Sequence, residues 1–381
     1  MPRELGRDSL SLLAPQNDAD GPRPSASPYH AGGSEKDRLR PPIVVAHPRV
    51  RTFANWLVFL FIVPLGLLAI PVTALWHCAD AAPIRIAYSS ISAAMLPLFV
   101  AKDKKLFDKQ GVDVEITYIR GIAVEALIAN EVQFTRASPP SVIGATLRGA
   151  DLAVIANTIN VPVFSLMARA DLRRPEELRG KKIGVTSLGD SPDLVLSMIL
   201  DKFGLQRGRD VTVMAIRGGM PDMILAVSKG FVDGAMISAP SNLRGMKLGL
   251  RELIDSADLG VPYLNSPLST RRAFIKTNRD TVLKVLRAYY QAVQETHNDR
   301  DGAMKILAKY TRVTEPEILA ESYRIYGQKH LQKTITVDLE GVRQLLKTLG
   351  KEAAAANPNQ FVDGSLVQEL EKEGLFQQKS R

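Results

Sequence analysis

The chain has 381 residues, enough for more than one domain, and its 45% apolar and 23% charged residues are ordinary for a protein with a real core. The formal net charge of +9 is scattered among acidic residues instead of clustering with aromatics, so it reads as solvated surface and not as a nucleic-acid footprint. A single cysteine, Cys78, excludes an intramolecular disulfide and a cysteine-based zinc cluster.

Residues 1–50 are rich in Pro, Ser, Gly, Asp and Arg, and the stretch from Asn17 to Arg40 has almost no large apolar residue. Such a tail is expected to be disordered. Residues 53–78 carry no formal charge, and the apolar run from Trp56 to Ile70 makes the segment long enough to span a bilayer. Arg49 and Arg51 precede it and the first charge after it is Asp80, so the N-terminus is expected inside and the remainder outside. Two readings stand. One is a signal peptide cleaved at Ala79-Asp80-Ala81 to leave Ala82 first; the other is an uncleaved membrane anchor. Acylation of Cys78 would want small residues before it, where Trp76 and His77 stand.

From Pro83 onward short β-rich runs alternate with helical patterns. Strands are expected at 84–88, 112–118, 132–135 and 152–156, with helices at 96–107, 124–130 and 141–148 between them. This order implies a mostly parallel sheet covered by helices. The pattern restarts with strands at 182–185, 211–214 and 232–237 and helices at 192–203 and 222–228. Apolar extended runs, 163–168 and 273–275, flank this second unit, and only helices follow: 280–297, 302–310, 316–326, 339–349 and 366–373. The expected architecture is α/β with two lobes: residues 83–170 plus 268–381 form lobe one and 175–262 form lobe two. The two crossover strands make a hinge, the C-terminal helices complete lobe one, and a cleft lies between the lobes.

Several segments carry a resemblance. Leu96-Pro-Leu-Phe-Val-Ala-Lys-Asp-Lys-Lys-Leu-Phe-Asp-Lys-Gln-Gly111-Val-Asp-Val-Glu115 resembles the opening of the nitrate/sulfonate/taurine family of ABC-transporter substrate-binding proteins, which is related to thiamine-pyrimidine synthases. Leu127-Ile-Ala-Asn-Glu-Val-Gln-Phe134, Leu178-Arg-Gly-Lys-Lys-Ile-Gly-Val185 and Val227-Ser-Lys-Gly-Phe-Val-Asp-Gly-Ala235 resemble later family segments in the expected order. One departure is Asn130, where the family usually has Gly; Asn tolerates a left-handed backbone. The resemblance implies a type II periplasmic-binding-protein fold that hands a small-molecule solute to ABC permease subunits. The expected location is periplasmic, or the outer face of the cytoplasmic membrane, with membrane contact through residues 53–78 if they stay uncleaved.

Ligands of open α/β sheets bind beyond the carboxyl ends of strands, at helix N-termini. That rule selects Ser89, Ser90 and Ser92 after the first strand, Arg120 and Gly121 after the second, and Arg136, Ser138, Pro139 and Ser141 after the third. It adds Asn157 and Thr158 after the fourth, then Ser187, Gly189, Asp190 and Ser191, Gly219 and Met220, and Ser238 and Pro240 in the second unit. Any one of the hydroxyls could be a helix cap and no more. Arg120 and Arg136 could each grip an anion bidentately, or form an interlobe salt bridge with Asp190, Asp193 or Asp222. Amides at 138–141 and 190–193 would suit the same anion.

No cofactor, metal or nucleic acid is expected, and no catalytic constellation stands out: His297 and His330 lie in the C-terminal helices, and Gly184-Val-Thr-Ser-Leu-Gly189 lacks the lysine of a phosphate loop. The alternatives are a membrane-tethered sensor and a thiamine-pyrimidine-synthase-like enzyme.

Overall fold

The computed structural model describes residues 82–377. The expectations for the tail 1–50 and the apolar segment 53–78 lie outside the described residues. No helix among those described is long and apolar enough to cross a membrane.

In chain order the first unit runs β1 (Ile84–Tyr88), α1 (Leu96–Asp103), α2 (Leu106–Lys109), β2 (Val114–Tyr118), α3 (Ala123–Ile128), β3 (Phe134–Arg136), α4 (Pro139–Leu147) and β4 (Leu152–Ala156). It continues with β5 (Ser165–Ala168), β6 (Lys181–Val185), α5 (Ser191–Lys202), β7 (Val211–Ala215), α6 (Met220–Ser228), β8 (Gly234–Ile237), α7 (Ser241–Lys247) and β9 (Arg251–Asp255). The last part holds β10 (Leu268–Arg271), α8 (Arg272–Thr277), α9 (Arg279–Asn298), α10 (Arg300–Thr311) and α11 (Pro316–Tyr323), then α12 (Leu339–Thr348), α13 (Lys351–Ala354) and α14 (Ser365–Lys372). A single π-helical turn, Arg324–Lys329, continues α11.

Two five-stranded sheets result, in the orders β2-β1-β3-β10-β4 and β7-β6-β8-β5-β9. β10 runs antiparallel to β3 and β4, and β5 runs antiparallel to β8 and β9. Each sheet therefore gains one reversed strand from the chain that has just crossed from the other. The crossings are residues 157–164 and 256–267, and they hydrogen-bond to each other: Tyr263 N donates to Asn160 O at 2.9 Å and Asn265 N to Ile159 O at 3.0 Å.

Several expectations are corrected. The run 163–168 was placed at the end of the first unit, yet Ser165–Ala168 is hydrogen-bonded within the second sheet. The run 273–275, expected to be extended, lies in helix α8, and the crossover strand is the preceding Leu268–Arg271. The helix expected at 96–107 breaks at Lys105, whose backbone is left-handed (φ 53°). α7 and β9 lie outside the expected elements; Gly245, mid-helix in α7, weakens that helix's pattern, and a Cβ there would lie 3.3 Å from Leu250. Asn130 adopts φ 62°, the left-handed conformation that Asn tolerates.

The C-terminal helices do not all pack on the first sheet. α9 buries Val282, Leu286, Tyr289 and Val293 against Phe99 and Phe134 there, and α14 adds Leu366 and Leu370. Val342, Leu345 and Leu346 of α12 belong instead to the core that holds Ile183 and Val195 of the second unit. The chain then returns, with Val362 bridging to Val154 of β4.

Candidate functional site

The loops at the carboxyl ends of both sheets meet around a cavity of about 260 Å³. From the first unit it is lined by Ser89, Ser90, Ser92, Arg120, Gly121, Ser138 and Ser141. From the second come Ser187, Asp190, Ser191, Gly219, Met220, Ser238 and Pro240. These are fourteen of the nineteen residues selected from sequence.

Five selected residues lie elsewhere, each for a physical reason. Asn157 and Thr158 follow β4, which β10 displaces from β3 by one strand spacing, about 4.8 Å. Asn157 turns inward and donates through Nδ2 to Ile159 O at 2.8 Å and Asn160 Oδ1 at 2.6 Å. Pro139 is buried at the first turn of α4. Gly189 serves the turn, with φ 81°, and its N–H donates to Asp193 Oδ2 at 2.7 Å.

Arg136 is the fifth and meets neither expectation. It is fully buried beneath the cavity floor, its Nε donates to Ser266 O at 2.8 Å, and its guanidinium carbon lies 5.4 Å from the Tyr289 ring centroid. Burial pushes the guanidinium below its ordinary pKa. The carboxylates proposed as its partners are engaged elsewhere. Asp193 takes Arg207 at 2.6 Å, Asp190 takes the Ser141 hydroxyl at 2.6 Å, and Asp222 takes Gly219 N at 2.7 Å.

The helix N-termini are also largely occupied. Pro139 and Pro140 have no N–H, and Ser141 N donates to Ser138 O at 3.1 Å. Ser191 N donates to Ser138 Oγ at 3.0 Å, across the cleft. This seam continues with the Ser138 and Ser191 hydroxyls 3.1 Å apart, Ala93 N donating to Ala239 O at 3.0 Å, and the Ser141–Asp190 bond.

Sequence reading missed one wall. Thr311, Val313 and Tyr326 bring the C-terminal helices to the cavity, and Asn265 and Ser266 of the second crossing form part of its floor. Tyr326 sits in the π-turn and donates to Val163 O at 2.6 Å; burial raises its pKa. Arg244 of α7 also lines the cavity and pairs bidentately with Glu315 at 3.1 and 2.8 Å, joining the second unit to the C-terminal helices. Lys247 and Glu317 pair beside it. The Arg244 guanidinium holds the Glu315 carboxyl down to about 2. No local signal points to these residues; only the π-turn (a frequent mark of function) would have, and it is invisible in sequence.

The surroundings are chiefly apolar walls, from Ile91, Tyr118, Val163, Phe164, Met220 and Val313, set with hydroxyls. Arg120 is the exposed cation at the rim. Such a lining offers apolar contact area and hydroxyl groups together.

The chain belongs to the NMT1/THI5-like family, whose model matches residues 92–303. Among curated proteins it is 23% identical over 305 residues to the putative binding protein YtlA of Bacillus subtilis (strain 168), covering 76% of this chain and 90% of that one. Its fold is that of the periplasmic binding proteins. The nitrate-binding protein NrtA of Synechocystis PCC 6803 matches with a TM-score of 0.63 at 16% identity, over 77% of this chain and 89% of that one. The alkanesulfonate-binding protein SsuA of Xanthomonas axonopodis pv. citri, bound to MOPS, matches with a TM-score of 0.60 at 22% identity, over 74% and 96%.

Proposed function

We propose that the chain is the extracytoplasmic solute-binding subunit of an ABC importer, and that its two lobes close about a hinge at residues 157–164 and 256–267 over a small acidic solute. The observation that carries this reading is the cavity itself, which takes lining residues from both sheets, both crossings and the C-terminal helices. A solute there touches everything that has to move together when the cleft closes, so its binding energy is available to hold the closed form.

Arg120 supports an acidic solute: it lines the cavity and is exposed, whereas Arg244 is already tied to Glu315. The names of two structural neighbours, a nitrate-binding and an alkanesulfonate-binding protein, both specify anions. The apolar walls favour an organic body on the acid, so an alkyl or aryl sulfonate or carboxylate suits this cavity better than a bare inorganic anion. Delivery to a permease and an extracytoplasmic location accompany that role.

The test is a thermal-shift screen of the purified chain against small sulfonates, carboxylates and their neutral isosteres, followed by titration calorimetry. An acid with a micromolar or tighter Kd, whose amide or ester isostere binds at least tenfold more weakly, supports the reading. Equal binding of the isostere refutes the acidic solute.

A further inference from the structure

We propose that the first unit holds a small inorganic anion of halide size beneath the cleft floor, gripped by Nη1 of Arg136 together with the hydroxyls of Tyr289 and Thr158. This site is separate from the solute cavity and does not depend on what the cleft binds.

Arg136 carries a charge that lacks a charged partner. Arg136 is 0% exposed, and a guanidinium stays protonated even when burial lowers its pKa. Its Nε is satisfied by Ser266 O and its face by the Tyr289 ring, but both are neutral groups. Nη1 is buried with no partner in the protein. A buried charge without a counter-charge is strongly unfavourable, and natural sites avoid it.

The groups around it are mostly donors. Tyr289 Oη, Thr158 Oγ1 and Asn265 Nδ2 are also buried, and none makes a well-formed hydrogen bond in the protein. The Tyr289 ring packs against the Arg136 guanidinium, and the Tyr289 hydroxyl lies within hydrogen-bonding reach of that of Thr158. Thr158 and Asn265 belong to the two crossings, which the Asn265 N to Ile159 O bond ties together. A guanidinium and an amide nitrogen can only donate, and hydroxyls donate readily, so one acceptor of small radius satisfies several of them at once.

The competing occupant is water. Asn157 Oδ1, a buried acceptor on the same crossing, also lacks a partner and could receive a hydrogen bond from a water molecule. Water would complete the hydrogen bonds and leave the charge uncompensated; an anion does both. The solute's own acid group is a poorer candidate, because Ala137, Ser138 and Ser266 line the cavity above a fully buried Arg136. An ion here would join β3 and α9 to the first crossing, and so stiffen the base of the hinge.

The experiment uses the purified full chain. Crystals grown or soaked in bromide are measured at the bromine absorption edge, and thermal unfolding is followed as bromide or chloride replaces gluconate at constant ionic strength. The expected results are an anomalous peak within hydrogen-bond distance of Arg136 Nη1 and a saturating rise in Tm of about 2–4 °C. Tyr289→Phe should raise the half-saturating halide concentration by about tenfold, and Arg136→Gln should abolish the halide dependence. If Arg136→Gln does not fold, Thr158→Val takes its place, with the same direction as Tyr289→Phe. Ordered water at Nη1 without anomalous signal overturns the proposal, as does a solute acid group bound at Nη1 in a liganded crystal. A Tm that responds equally to gluconate and bromide also overturns it.

Discussion

Ser141→Ala tests how the cleft is held shut. The Ser141 hydroxyl on α4 donates to Asp190 Oδ1 across the cleft at 2.6 Å, and both residues are half-buried. A hydrogen bond to a charged acceptor contributes about 1.5–3 kcal/mol when protected from water. Partial exposure lowers this to about 1–2 kcal/mol, or roughly 5- to 30-fold in the open–closed ratio. If the solute binds only the closed form, its apparent Kd should weaken by up to the same factor, reaching it where the closed form is the minor one without ligand. The melting temperature without ligand should hardly move, because the substitution leaves the apolar cores intact. Ser141 also lines the cavity, so a direct contact with solute could weaken binding too. A double-mutant cycle with Asp190→Asn separates the two. Loss through the clasp makes the single and double variants nearly equal; loss through separate solute contacts makes them additive. Calorimetry gives the affinities, and small-angle scattering gives the ligand-free and liganded dimensions. Additive losses, or a Ser141→Ala protein whose affinity and dimensions stay within twofold and within error of wild type, would refute the clasp.

Three further outcomes follow from the same geometry. Arg120→Ala should weaken an acidic solute by about tenfold or more, with Arg120→Lys restoring only part, since Lys lacks the planar fork; calorimetry of all three proteins checks it. The Glu315 carboxyl is held down to about 2, so its pairing with Arg244 should be fully present above the ordinary carboxylate range and fade as pH falls toward 2. The difference in closed population between wild type and Glu315→Gln, read by scattering, should therefore be constant from about pH 7 to 5 and shrink below about 4.5. Leu345→Ala removes a fully buried α12 side chain from the second unit's core and should cost about 2–5 kcal/mol in urea unfolding, whereas a loss below about 1 kcal/mol would contradict that packing.

Much of this molecule can be read in its sequence because its information is local. β1 and β4 fall on the expected residues, 84–88 and 152–156, since each is a compact apolar run bounded by turn residues. The strand-end rule finds most of the cavity for the same reason: Ser89, Arg120, Ser138 and Asp190 each stand directly after a strand or at a helix start. What escapes is what depends on strands far apart in sequence. The insertion of β10 between β3 and β4 moves Asn157 and Thr158 away from the cavity, and no periodicity around residue 157 encodes that. Arg136 fails for a related reason. It closes β3 where Arg120 stands just beyond β2, and Tyr289 and Ser266, which enclose it, come from α9 and the second crossing. The π-turn that aims Tyr326 into the cleft reads in sequence as an ordinary end of helix α11.

In the proposed role, the cavity between the two sheets captures a small solute. Native mass spectrometry of the chain, purified without denaturant from a host that supplies its solute, tests this most directly. It is run beside Ser187→Trp, which puts an indole into the 260 Å³ cavity from a half-buried lining position. Wild type should carry a one-to-one small-molecule adduct, released by organic solvent, bearing an acid group, and absent from a folded Ser187→Trp protein. An adduct that persists unchanged in Ser187→Trp would contradict that role.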